Sequence, residues 1–137
     1  MDNTTRLKTL SLALRVFAVV FVFGVYPLTI VWPSGWAWHP GQSEYLEMIM
    51  VVYATLGVFL WLAARNPEQN LSLIAFTIWS SIAHGGIMAL QSIANPAHRG
   101  HLYGDVLALF VVAAVLGWLS PGALTFKLSA ASPSSMA

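Results

Sequence analysis

The chain has 137 residues, 58% of them apolar and only 8% charged, with a net charge of +1 and no cysteine. Soluble domains carry about 25% charged residues, so a chain this depleted needs lipid as its solvent. The near-neutral charge and the lack of a basic patch exclude nucleic acid as a partner. The lack of cysteine excludes disulfides, thiolate metal sites, iron–sulfur clusters and covalent haem attachment.

The length suits one domain. Four apolar segments follow one another, roughly 10–32, 44–64, 71–93 and 101–119. Each is long enough to cross hydrocarbon. The runs are continuous rather than alternating, and in lipid a separate segment satisfies its backbone only as a helix. The first run exceeds the length of a signal peptide, and Trp32-Pro33-Ser34-Gly35-Trp36 follows it in place of a small-residue cleavage site. It reads as a retained signal anchor. Pro27 inside this run predicts a kink.

The breaks between segments are Pro33 to Gly41, then Asn66-Pro67, then Asn95 to Gly100, with Ser120-Pro121-Gly122 ending the fourth. Ser43 and Asn70 are candidate N-caps for the second and third helices. Short connections join antiparallel neighbours, so the expected fold is an all-α membrane protein, an up-down four-transmembrane-helix bundle. It forms one domain over 1–127, and the Ser-, Ala- and Pro-rich tail, 128–137, reads as disordered.

Basic residues set the expected orientation. Arg6, Lys8, Arg15, Arg65 and Lys127 fall on one side and Arg99 alone on the other. The positive-inside rule then puts both termini in the cytoplasm. Trp32, Trp36 and Trp38 read as an outer aromatic belt, and Trp61 and Trp118 as an inner one. Arg15, one turn into the first span, is expected to snorkel to the headgroups.

Titratable groups gather in the outer half: Glu44, Glu47, Asp105, His39, His98 and His101, with His84 deeper in span three. Thr77, Ser81, His84, Met88 and Gln91 recur at steps of four, three, four and three, one stripe on an otherwise apolar helix. His101 and Asp105 lie one turn apart on span four, and Glu44 and Glu47 share a face of span two. Polar stripes facing lipid are costly, so these should face one another. Gly85, Gly86, Gly104 and Ala108 are small enough for close helix approach.

The candidate intramembrane polar site is therefore Glu47, His84, Gln91, His101 and Asp105. A metal is a weaker expectation, with Glu47, His101 and Asp105 as its donors. His84 lies roughly 14 Å inside its helix end and the carboxylates roughly 6 Å inside theirs, at a rise of 1.5 Å per residue. Such an offset separates His84 from a shared ion and favours a graded column of polar groups. Each group also has a plain structural role. The acids of span two meet a helix dipole, His101 and Asp105 form a helix-start pair, and His84 is a hydrogen-bonded core imidazole. Tyr53, at a depth similar to His84, reads as packing.

Three segments carry a resemblance: Glu44-Tyr45-Leu46-Glu47-Met48-Ile49, Trp79-Ser80-Ser81-Ile82-Ala83-His84 and Gly100-His101-Leu102-Tyr103-Gly104-Asp105-Val106. They resemble an uncharacterised family of small four-span bacterial membrane proteins, and the general shape is similar to DoxX-like proteins. The resemblance covers spans two to four and implies a bacterial inner-membrane location, but no activity.

No nucleophile motif, phosphate loop or zinc signature is present. The sequence thus specifies neither a reaction nor a cofactor, and its one firm partner is the lipid bilayer. The favoured reading is an accessory or structural membrane protein, in a homo-oligomer or a larger assembly. A second reading is an outer-half site for a lipid-soluble ligand, proton or metal, catalytic or not; a third is an oligomeric transporter.

Overall fold

The computed structural model describes residues 1–39, 41 and 43–125. The tail expected to be disordered, 128–137, lies outside the described residues, as does Lys127. The protein is all-helical, with four stretches long and apolar enough to cross a membrane: Asn3–Val31, Glu44–Ala63, Pro67–Ala94 and Pro96–Leu119. The shortest has 20 residues, about 30 Å of helix and so about one hydrocarbon thickness. The chain is a small multi-span membrane protein.

The first span begins as α1 (Asn3–Val19). It opens with a polar turn in which Asp2 caps the helix by accepting from the Thr5 N–H. A π-helical turn, Val20–Gly24, then leads into α2 (Val25–Val31). Pro27 has no N–H to offer the carbonyl four residues back, and the wide turn lies just before it. A single turn, α3 (Pro33–Trp36), opens the first connection. The second span is α4 (Glu44–Ala63), where the Ser43 hydroxyl accepts from the Leu46 N–H at 3.4 Å. The third is α5 (Leu71–Ala94), entered through the 3-10 segment Pro67–Asn70. Asn70 makes no N-cap bond there. Its amide donates back to the Asn66 carbonyl at 2.9 Å instead, so it closes the turn rather than starting the helix. The fourth span combines the 3-10 segment Pro96–Leu102 with α6 (Asp105–Leu119), and a last turn, α7 (Pro121–Leu124), follows.

The helices do not close evenly. α4 packs on α1, α1 on α6 and α6 on α5, but α4 and α5 barely meet. The bundle is an open ring with its gap between two helices that are adjacent in sequence. At the end bearing the N-terminus the ring is sealed by Leu14, Leu60, Ile74, Ile78 and Leu116, all fully buried. There the Ser11 hydroxyl also donates to the Ala64 carbonyl at 2.6 Å and ties α4 to α1. Close approach continues at Gly57, where a Cβ would lie 2.9 Å from the Ala18 carbonyl oxygen. Toward the opposite, distal end the core thins to Met88, Val106 and Leu109, and the gap widens into a cleft.

Candidate functional site

Small residues build the distal end. A Cβ at Gly104 would collide with the Gly35 carbonyl, and one at Gly100 with the Ser34 carbonyl. The α3 turn can therefore lie directly on the 3-10 segment Pro96–Leu102, which brings Trp38 over His101. The rings stack with centroids 4.1 Å apart and planes 26° apart, and Trp38 also stacks on His98 at 5.1 Å. Of the other small residues, Gly85 meets Leu109 of α6, whereas nothing approaches Gly86 within 4 Å.

Asp105 is the centre of this cluster. Its Oδ2 accepts the Trp38 indole N–H at 2.8 Å, and its Oδ1 accepts the Val106 N–H at 2.8 Å. His101 Nδ1 lies 3.0 Å from Oδ2 and 3.2 Å from Oδ1. Three donors converge on one carboxylate, which meets the hydrogen-bonding demand of an ionised group. Donation to an ionised Asp105 requires the His101 proton on Nδ1. Both residues are buried, His101 to 2% exposure.

The cleft beyond this cluster has a volume of about 970 Å3, at the upper end of the range for small-molecule sites, about 300–1,000 Å3. α1 forms its floor, with α4 on one side and α5 and α6 on the other. Three rings from three helices cross it. Phe21, in the π turn, meets Tyr53 edge-on at 5.3 Å, and Tyr53 meets His84 edge-on at 5.9 Å. Asp105, Gln91 and Trp36 also line it, and the Trp36 indole nitrogen is buried with no hydrogen-bond partner. A second pocket of about 570 Å3 opens at the distal end among the residues that connect the spans, with Ser34, Glu47, His98 and His101 in its lining. Trp38 lines both spaces.

The five residues singled out from sequence are thus divided. His84, Gln91 and Asp105 line the cleft, while Glu47 and His101 line the distal pocket. Thr77, Ser81 and Met88 of the α5 stripe are buried, His84 is half-buried, and Gln91 is exposed at the cleft. Glu47 departs from the expectation that it faces the bundle interior. It is exposed, because α4 leans away from α5 and its first turn lies at the pocket rim. The donor set Glu47, His101 and Asp105 is not assembled for a metal. Among the described residues no three histidine or carboxylate side chains are placed to hold one.

Trp38 and Tyr53 are the residues that the sequence reading passed over. Trp38 carries the same signal as any interfacial tryptophan, and only its packing on His101 distinguishes it. Tyr53 lies opposite His84 only because the second connection returns α5 alongside the gap. Arg15 sits with its guanidinium 5.9 Å from the Trp61 ring centroid, at the far end from this site.

No curated protein and no solved structure matches this chain. A model of a protein family matches residues 4–134, nearly the whole length. The chain belongs to the family of unknown function DUF6632.

Proposed function

We propose that this protein is a bacterial inner-membrane binding protein whose distal cleft takes a small lipid-soluble molecule with a hydrogen-bonding polar group. The observation that carries the reading is the gap between α4 and α5. It leaves a cleft of about 970 Å3 at membrane depth, with apolar walls and a few convergent polar groups: Tyr53, His84 and Asp105. An apolar body would pack on Phe17, Phe21 and Leu109, and a polar head would reach His84 and Asp105. A membrane helix spends polar groups at such depth where they meet one another or a ligand. With both termini in the cytoplasm, as the basic residues indicate, the cleft occupies the outer half of the bilayer.

Native mass spectrometry of the protein in lipid nanodiscs tests this. The wild type should retain a small lipid-soluble molecule, and Ala108→Phe, which fills the cleft wall, should release it. An empty wild-type protein would overturn the reading. So would a polypeptide in the gap, which would instead support the accessory role.

A further inference from the structure

The distal pocket and the cleft share a boundary. Trp38, Ser43, Leu46 and Met50 line both, so the two spaces meet at a waist between the first connection and the start of α4. Away from the waist their walls differ in kind. Phe17, Phe21, Leu109 and Val112 wall the cleft, whereas Ser34, Glu47, His98 and His101 edge the pocket. Along α6 the cleft runs from Asp105 to Val112, roughly 10 Å at 1.5 Å per residue. An apolar trough of that length leading into a polar pocket has the division of an amphiphile.

Charge narrows the class of head. The described residues that line the two spaces include two carboxylates, Glu47 and Asp105, and no lysine or arginine. Arg99 follows His98 in sequence but lines neither space. Asp105 already has the Trp38 and Val106 N–H groups and His101 Nδ1 as partners. Glu47 stands at the pocket rim and, among the described residues, joins no ion pair. A helix-dipole role would suit Glu44 of the same turn equally well, yet only Glu47 of the two lines the pocket. His101, with Nδ1 on Asp105, has Nε2 left as an acceptor. These groups suit a head that donates hydrogen bonds and carries positive charge, and they disfavour an anion.

We infer that the cleft ligand is a single amphiphile that fills both spaces: an alkyl chain in the cleft, a hydrogen-bonding link beside Asp105 and a primary ammonium head in the distal pocket, held by Glu47 and His101. This rests on the cleft being a ligand site. A primary ammonium has three N–H donors. The Glu47 carboxylate and His101 Nε2 accept two of them, and water at the open rim takes the third. The Asp105 carboxylate has lone-pair capacity for one donor more, which the link supplies. Trp38, at the waist, packs against the part of the ligand that passes it.

The test uses protein in phosphatidylcholine nanodiscs and a dodecanol carrying a diazirine on its chain. Irradiation should label the wild type within 105–112, and Ala108→Phe should lose that label. Three competitors share a dodecanoyl amide and differ in the head: N-dodecanoyl ethylenediamine ends in an ammonium, N-dodecanoyl ethanolamine in a hydroxyl and N-dodecanoyl glycine in a carboxylate. The ammonium compound should displace the label at about tenfold lower concentration than the hydroxyl compound, the scale of one charge-assisted hydrogen bond. The carboxylate compound should be the weakest. Glu47→Gln should erase the advantage of the ammonium, and Glu44→Gln should keep it. The ammonium compound with its diazirine moved beside the head should label 33–39 or 96–101. Equal displacement by the ammonium and hydroxyl compounds, an advantage that survives Glu47→Gln, or a head label confined to 105–112 would overturn the inference and leave the cleft reading standing. A dodecanol label that is absent from the wild type, or that Ala108→Phe leaves unchanged, would overturn the cleft reading and the inference with it.

Discussion

Trp38 shows how much one contact can change the meaning of a residue. As an interfacial ring it would contribute only amphipathic packing, and Trp38→Phe would be nearly neutral. In the structure its indole N–H is one of three donors on Asp105. Removing it leaves a buried carboxylate short of one partner, at a cost of about 1–3 kcal/mol. Trp38→Phe should therefore lower the thermal unfolding midpoint in detergent clearly, while Trp32→Phe, at an exposed ring, should not. His84 gives the opposite expectation. Its ring is half-buried and meets the Tyr53 ring edge-on, so His84→Gln should keep the unfolding midpoint and weaken retention of the cleft ligand. An equal loss of both would make His84 a structural residue. The sequence indicated His101 and Asp105 as a pair through their i,i+4 spacing, and that was legible because the contact is local. Trp38 was not, since it reaches Asp105 across 67 positions of chain.

Between elements, legibility followed the same division. Helix length and the Pro and Gly breaks are local features, and the four apolar stretches could be read from them. Which helices touch depends on small residues whose partners are remote. Four glycines and one alanine illustrate this: Gly85, Gly104 and Ala108 were expected at close approaches and Gly86 with them, while Gly57 carried no signal. In the structure Gly104 faces the Gly35 backbone, Gly57 faces α1, and Gly86 faces open space. Gly104→Ala should thus force the α3 turn off the 3-10 segment, an overpacking cost of about 1–3 kcal/mol. Hydrogen exchange should rise over 33–39 and 96–104 together. Gly86→Ala meets nothing and should be neutral or stabilising by up to about 1 kcal/mol through helix propensity. The gap itself was illegible, because a short connection such as Asn66 to Asn70 fixes antiparallel direction without fixing how far two helices splay beyond it.

For the molecule as a whole, the open ring gives orientation a consequence. The sealed end carries Arg6, Lys8, Arg15 and Arg65, whereas the distal end carries Arg99. Basic residues near span ends resist translocation, so the sealed end is predicted to face the cytoplasm and the cleft and its distal pocket the outside. The direction matters for the cleft. With this orientation the cleft lies toward the outer leaflet, and the apolar cluster of Leu14, Leu60, Ile74 and Leu116 lies between it and the cytoplasmic end. The cleft would then hold a bound molecule without opening a path across the membrane. Reporter fusions after Trp38, Asn66, His98 and Ala137 should alternate outside, inside, outside, inside. Proteoliposomes carrying an imposed pH gradient should hold it as long as protein-free vesicles do. An outside signal at the C-terminal fusion would invert or break the topology. A protein-dependent collapse of the gradient would show that the sealed half conducts, and that the site serves transport rather than binding.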